Sequence, residues 1–118
     1  MTHVLGKGGI KMLDSILNTI KSMLNIEIDS TEFDSDLIVY INKAFAILTD
    51  IGAGPEQGFV ITNANDVWSD YSDDIVLLSK VKTYIYSKTK LDFDPPLSNT
   101  AIDSLKASIA ELEWRLSK

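Results

Sequence analysis

The sequence predicts an all-α fold, a small bundle of about four to five helices with a loop or short extended segment near residues 52–65. Three observations support this prediction. Apolar residues recur every three or four positions through most of the chain, which is the helical period. One stretch rich in glycine and proline, residues 52–58, interrupts that period. With 118 residues, 45% of them hydrophobic and 24% charged, the chain has the balance of one globular domain.

The first two helices follow from apolar spacing and capping residues. A helical pattern begins at Leu13 and ends near Leu24. Asp34 or Asp36 can open a second helix, whose apolar stripe covers about half the circumference of a helical wheel at ~100° per residue. Such a wide stripe is typical of a central helix. Gly52 stands where a left-handed terminating residue is needed.

The segment after Gly52 predicts a loop and one short helix. Pro55 suits the second position of a tight turn. Residues 59–62, which begin with Phe59, form either an extended edge segment or a loop held by Phe59. Residues 63–66 can cap a short helix that carries Val67, Trp68 and Tyr71 and lies over the bundle.

Two long helices complete the prediction. The fourth follows Asp73 and Asp74 and ends at Asp94-Pro95-Pro96, because proline lacks an amide proton and restricts the preceding residue. Ser98, Asn99 or Thr100 caps the last helix, and Thr100 and Asp103 have the spacing of a capping box. The last helix carries a heptad-like apolar seam at Ile102, Leu105, Ile109, Leu112 and Leu116.

Residues 1–11 are predicted to be a flexible leader outside the fold, and residues 12–118 a single helical domain. The leader holds three of the six glycines and has no apolar period. Lys7-Gly8-Gly9 can be encoded by a purine-rich ribosome-binding sequence at a suitable distance from Met12. Met12 is therefore a candidate for the native start.

Charge and composition exclude several classes of function. The net charge is −6 and no run of Lys or Arg longer than a pair occurs, so the chain lacks the basic patch that binds nucleic-acid phosphates. It has no cysteine, and its one histidine is His3. No apolar run approaches the ~20 residues of a membrane span, so we expect no membrane contact. We expect a protein made in the cytoplasm.

The sequence offers no catalytic constellation, so we expect no enzyme, no cofactor and no metal site. The acidic stretch from Asp66 to Asp74 lacks the glycine and glutamate that a calcium-binding EF-hand loop requires. Asp92 and Asp94 have no histidine or metal motif near them and are interpreted as helix-end residues. No serine lies in a nucleophile motif.

Trp114 is the most informative residue. Wheel arithmetic puts it roughly 170° from the centre of the apolar seam, on a second strip with Ala107 and Ala110. Two interpretations have about equal weight. Either Trp114 is covered by side chains or a loop of its own chain, or it forms a subunit contact, where tryptophan is enriched. On the preceding helix Tyr84 is expected in the core and Tyr86 at the surface, where it is free to contact a partner.

Four stretches carry a family resemblance: Gly54-Pro55 with Gly58-Phe59, Val81-Lys82-Thr83-Tyr84-Ile85-Tyr86, Phe93-Asp94-Pro95-Pro96, and Glu111-Leu112-Glu113-Trp114-Arg115-Leu116. From about Met12 onward the chain resembles the small head-tail connector, or head completion, proteins of long-tailed bacteriophages and prophages. Residues 89–92 are more polar than the family pattern, and the leader has no counterpart in it.

The resemblance implies a non-enzymatic α-helical subunit that forms a ring with copies of itself between the portal protein and the tail or head-closure proteins of the virion. DNA would be only a passing cargo, and an acidic surface would not hold it. Partner contacts are expected on the last helix and the loop that contains Pro55 and Phe59. The alternative is a small cytoplasmic helical module for protein–protein interaction or regulation, which would be a monomer or dimer. An enzyme with an unfamiliar site would require polar groups that converge in a pocket.

Overall fold

The computed structural model describes residues 14–118, and within that range it contains five α-helices and no β-strand. They are α1 (Ile16–Met23), α2 (Asp34–Asp50), α3 (Trp68–Tyr71), α4 (Ile75–Phe93) and α5 (Asn99–Leu116). This confirms the all-α prediction and its number of helices. The predicted leader, residues 1–11, and the candidate start Met12 lie outside the described residues.

Helix α4 is the centre of the bundle, because α1, α2 and α5 all pack against it. Helix α2 is antiparallel to α4: Lys43 forms an ion pair with Asp92 at 3.2 Å, and the rings of Phe33 and Phe93 meet edge to face. Helix α5 returns along α4 after a turn over residues 94–98. The end of α2, the start of α4 and the end of α5 therefore lie together, at what we call the loop end. The turn at 94–98 and Phe33 mark the opposite, proline end.

The core is built from the apolar stripes of these helices. Its members are almost all apolar and buried: Ile16, Leu17, Ile20, Leu24, Leu37, Ile41, Ala44, Phe45, Leu48, Ala53, Ile61, Trp68, Tyr71, Val81, Tyr84, Ile85, Ile109 and Leu116. The apolar stripes of α1 and α2 both pack against α4, so their removal from water is shared by one contiguous cluster.

Short polar side chains start three of the helices. Ser15 accepts a hydrogen bond from the Asn18 amide, and Asp74 accepts bonds from the amides of Val76 and Leu77 at 3.0 and 3.1 Å. Ser98 accepts one from the Ala101 amide and caps α5. The predicted capping box at Thr100 and Asp103 was wrong, because Ser98 starts the helix earlier and both residues lie within α5.

Helix α2 begins at Asp34, one of the two predicted positions, but Asp34 does not cap it. Its carboxylate instead lies 2.8 Å from the ammonium of Lys21, which is buried. The same ammonium donates to the carbonyls of Ile28 and Ser30 at 2.8 and 2.7 Å. Lys21 thereby holds the α1–α2 loop against the bundle, and its charge is neutralised by Asp34 at the start of α2 and hydrogen-bonded by the two loop carbonyls.

The segment between α2 and α4 is a loop with one helical turn. Gly52 has φ +91° and ends α2 as predicted. Pro55 occupies the first position of its turn and not the predicted second, because the Gly58 amide donates to the Pro55 carbonyl at 3.0 Å. Residues 59–62 belong to the loop and form no strand, so of the two predicted alternatives the loop held by Phe59 agrees with the structure.

The short helix α3 differs from its prediction in position and capping. Asp66 does not cap α3; its carboxylate accepts bonds from the Thr62 and Asn63 amides and closes the preceding turn. These bonds, led by that from the Thr62 amide, lower the pKa of Asp66. Val67 precedes the helix, and Trp68 lies within the core with 0% exposure. Its indole N–H donates to the Thr19 hydroxyl at 3.0 Å, so α3 is inserted into the bundle.

Candidate functional site

Helix α5 has two different faces, as its sequence predicts. The seam side packs on α4 and buries Ile109 and Leu116. Trp114 points away from it and is 78% exposed, and Ala107 and Ala110 are exposed on the same helix. The side chains and loops of residues 14–118 therefore leave most of Trp114 uncovered. We call Ala107, Ala110 and Trp114 the outer strip.

A hydrogen bond fixes the rotation of α5 on α4. The hydroxyl of Tyr84, which is fully buried, donates to Oε2 of Glu113 at 2.7 Å. Burial raises the pKa of Tyr84, and the hydrogen bond to Glu113 and its negative charge raise it further. Because Glu113 precedes Trp114, this bond keeps the indole on the outer side. On the same helix, Arg115 and Glu111 form an ion pair at 2.8 Å.

The structure brings the loop that contains Pro55 to the end of α5. The amide of Lys118 donates to the carbonyl of Ile51 at 3.0 Å, and a Cβ added at Gly52 would lie 3.1 Å from the Lys118 side chain. A cavity of about 270 Å³ separates the loop from the chain end and is lined by Thr49, residues 52–56 and Lys118. Two predicted partner regions, far apart in sequence, thus share the loop end.

Phe59 contributes to the core more than to the surface. Its ring meets those of Phe45 and Tyr71 edge to face, at centroid distances of 5.0 and 5.2 Å, and its side chain is half-buried. The Tyr71 hydroxyl is buried without a hydrogen-bond partner, and burial raises its pKa to about 12. Phe59 and Tyr71 therefore hold the loop in place, and Pro55 and Phe59 are both half-buried.

Tyr86 is half-buried against the core, whereas the sequence predicted that it would be exposed at the surface. The reason lies in the position of α4, which is covered by α1, α2 and α5 and has little free circumference. Even the polar residues Ser87 and Thr89 on α4 are buried. Tyr84 is in the core, as predicted. Wheel geometry identifies the most apolar face of a central helix but cannot show how many neighbours cover the other faces.

Three features went unrecognised in the sequence. Lys21 lies between Leu17 and Leu24 on the apolar face of α1, and that position was the available signal. Asn42 forms a reciprocal pair with the backbone of Ile61, at 2.9 and 2.8 Å, for which we find no sequence signal. Ile75 and Val76, the first residues of α4, are 81% and 68% exposed. Two adjacent β-branched residues after a capping aspartate were the signal for this surface.

Two observations on the described residues concern metal sites and membrane spans. Within residues 14–118 no group of three or more histidine, cysteine, aspartate or glutamate side chains is arranged to hold a metal ion. In the same part of the chain, no helix is long and apolar enough to cross a membrane. The distinctive geometry is an exposed tryptophan on a helix that the Tyr84–Glu113 hydrogen bond orients, with the chain end after this helix bonded to the loop end.

A comparison with protein families identifies the chain. The family model described as phage connector protein matches residues 16–118, from the start of α1 to the last residue. The chain belongs to the phage connector protein family. Neither a curated protein nor a solved structure matches this connector.

Family membership gives the connector a structural role in a bacteriophage, in contact with other proteins of the phage head or tail. The match covers all five described helices, so the whole bundle belongs to the family domain. It also confirms the resemblance based on the four sequence stretches, three of which have clear structural roles. Pro55 and Gly58 form the loop turn, the α4 motif holds buried Tyr84, and the proline motif ends α4.

Proposed function

We propose that this connector is a non-enzymatic subunit of a ring that lies between the portal and the tail of the virion. Copies of the chain contact one another through the outer strip of α5, and the loop with Pro55 faces a neighbouring subunit, the portal, or a tail or head-closure protein. Phe59 and Tyr86 contribute only their exposed edges. The observation that carries the proposal is the 78% exposure of Trp114 on a helix whose other face is buried.

Trp114 is suited to a subunit contact for two reasons. An indole offers a large apolar area, and tryptophan is enriched among residues that dominate binding energy. Ala107 and Ala110 are small, so the backbone of α5 can approach a neighbour closely beside the indole. The Tyr84–Glu113 bond holds this surface in one orientation before binding, which lowers the entropy lost on association.

The charge of the chain is consistent with a channel for DNA. With a net charge of −6, the subunit repels a phosphate backbone on average, so DNA would pass without adhering to it. DNA is then cargo and not a ligand. The family match supports a phage structural role, and it weighs against the small cytoplasmic regulator that the sequence left as an alternative.

Electron microscopy of capsids that carry the portal of the same phage tests the proposal. The wild-type chain is expected to add a ring at the portal vertex. Assembly is measured on this template because a contact that forms only there would leave the isolated chain monomeric. Absence of a ring with correctly folded protein would contradict the proposal.

Trp114→Ala locates the contact. This variant is expected to keep the wild-type circular dichroism spectrum and to lose the ring. Leu97→Ala is the matched control, because Leu97 is fully exposed but lies at the proline end. A Trp114→Ala protein that still forms rings would exclude the outer strip, and one that unfolds would assign Trp114 to the core.

A further inference from the structure

The start of α4 forms a second exposed surface, which the ring contact does not use. Ile75 and Val76 are 81% and 68% exposed, whereas the next residues, Leu77 and Leu78, are half-buried against the core. The cap provided by Asp74 orders this first turn, so the two apolar side chains are presented on rigid backbone. Their exposure gives the folded monomer no packing energy.

The same surface is strongly acidic. Residues 66–76 contain four aspartates and no lysine or arginine. Asp66 closes the turn that begins at Thr62 and Asp74 caps α4, while Asp70 and Asp73 are exposed within the five residues that precede α4. Lys82 is the base that approaches this segment, with its ammonium 5.5 Å from the centroid of the Trp68 ring. The negative charge in these eleven residues is large compared with the net charge of −6 for the whole chain.

We propose that Ile75, Val76, Asp70 and Asp73 form a docking surface for a cationic, apolar segment of another protein in the assembly. In such a segment apolar side chains cover Ile75 and Val76, and flanking lysines or arginines meet the aspartates. Charge complementarity selects this occupant, because a neutral apolar segment would desolvate the aspartates without pairing them. The inference rests on the proposed role in a phage assembly but not on the contact between ring subunits, since it concerns different residues.

Methyl NMR on the full chain tests the docking surface with a defined probe. The probe is a twelve-residue amphipathic peptide of lysine and leucine, and its counterpart contains glutamate in place of lysine. We expect the lysine peptide to shift the methyl signals of Ile75 and Val76. The signals of Val39 and Leu97, which are also solvent-exposed, at 64% and 104%, should stay unchanged. Equal shifts at all four residues, or equal binding of the glutamate peptide, would overturn the proposal.

Charge variants separate a local effect from net charge. Asp70→Asn with Asp73→Asn is expected to weaken binding of the lysine peptide on the order of fivefold, as for two exposed charge pairs. Asp29→Asn with Asp103→Asn makes the same change of net charge at exposed positions elsewhere and should leave binding unchanged. An equal loss in both double variants would show nonspecific attraction and refute the assignment.

The chain's own leader is the competing occupant, because it contains Lys7 and Lys11 and no acidic residue. Lys7→Glu with Lys11→Glu tests it without any peptide. Unchanged signals of Ile75 and Val76 in this variant support a partner protein as the occupant. Shifts of these two signals would assign the surface to the leader and overturn the proposal.

Discussion

Gly54→Ala should be the most destabilising of the glycine substitutions in the loop. Gly54 has φ +74°, a conformation that costs an alanine about 1–2 kcal/mol. A Cβ at this position would also overlap Oη and Cζ of Tyr71 and lie 2.7 Å from Cε1. The Tyr71 ring cannot move aside freely, because it packs against Phe45 and Phe59.

The magnitude follows from these two contributions. Overpacking of a well-packed core costs about 1–3 kcal/mol, and the lower entropy of the unfolded alanine chain offsets about 0.4–1 kcal/mol. We expect a loss of about 2–4 kcal/mol in the free energy of unfolding. For a domain of this size the melting temperature should fall by about 8–16 °C.

Gly58→Ala is the matched control. Gly58 has a similar φ of +93°, but an added Cβ would meet only the Thr49 side chain, at 3.7 Å, which is ordinary contact. The backbone cost remains and the steric cost disappears, so we expect a loss of about 0.5–1.5 kcal/mol.

Urea unfolding followed by helical circular dichroism at 222 nm measures both variants. If Gly54→Ala and Gly58→Ala lost the same stability, the Tyr71 ring would not be the obstacle and the packing argument would be refuted. A Gly54→Ala variant as stable as the wild type would also contradict the positive φ.

Three further predictions concern polar groups in the bundle. Lys21→Met should lower the free energy of unfolding by about 2–4 kcal/mol, because it leaves a carboxylate and two carbonyls without their buried cation. Lys43→Met removes an exposed ion pair and should cost less than about 1 kcal/mol in the same urea assay. Asn42→Ala should cost about 2–3 kcal/mol in thermal unfolding, since it leaves both backbone groups of buried Ile61 unpaired; a loss below about 0.5 kcal/mol would contradict this role. The pKa of Tyr71 is raised to about 12, against about 10 in the unfolded chain, so its contribution to stability is fully present below pH 10 and is lost as pH rises from 10 towards 12. Tyr71→Phe should reduce this fall in stability, and Tyr84, whose pKa is also raised, should account for part of the fall that remains.

The family domain and its helices could be predicted because their signals are local. Helical spacing, the glycine at 52 and the prolines at 95 and 96 act on their own neighbours in sequence, so each boundary follows from nearby residues. Ser98 shows the limit of this reasoning. Ser98 and Thr100 both carry a hydroxyl suited to a helix cap. The two possible starts of α5 differ by two residues, and the sequence is compatible with the backbone geometry of either.

The candidate site was predictable in part. The outward direction of Trp114 follows from the angle between it and the seam, which is a property of a single helix. The half-buried state of Tyr86 does not follow from the geometry of a single helix, because it depends on how many helices surround α4. The exposure of Ile75 and Val76 was not predicted, because the β-branched pair after the capping aspartate does not by itself show whether another element covers it.

The sequence by itself determined the all-α class, the family resemblance, the acidic balance and the two faces of α5, since these depend on composition, spacing and local capping. Only the tertiary structure decided which of these features meet. It placed the chain end against the loop with Pro55, through the Lys118 amide and the Ile51 carbonyl, and it inserted Trp68 into the core. The physical reason is that long-range packing depends on the apolar surface that all the helices bury together, which cannot be deduced from any single segment.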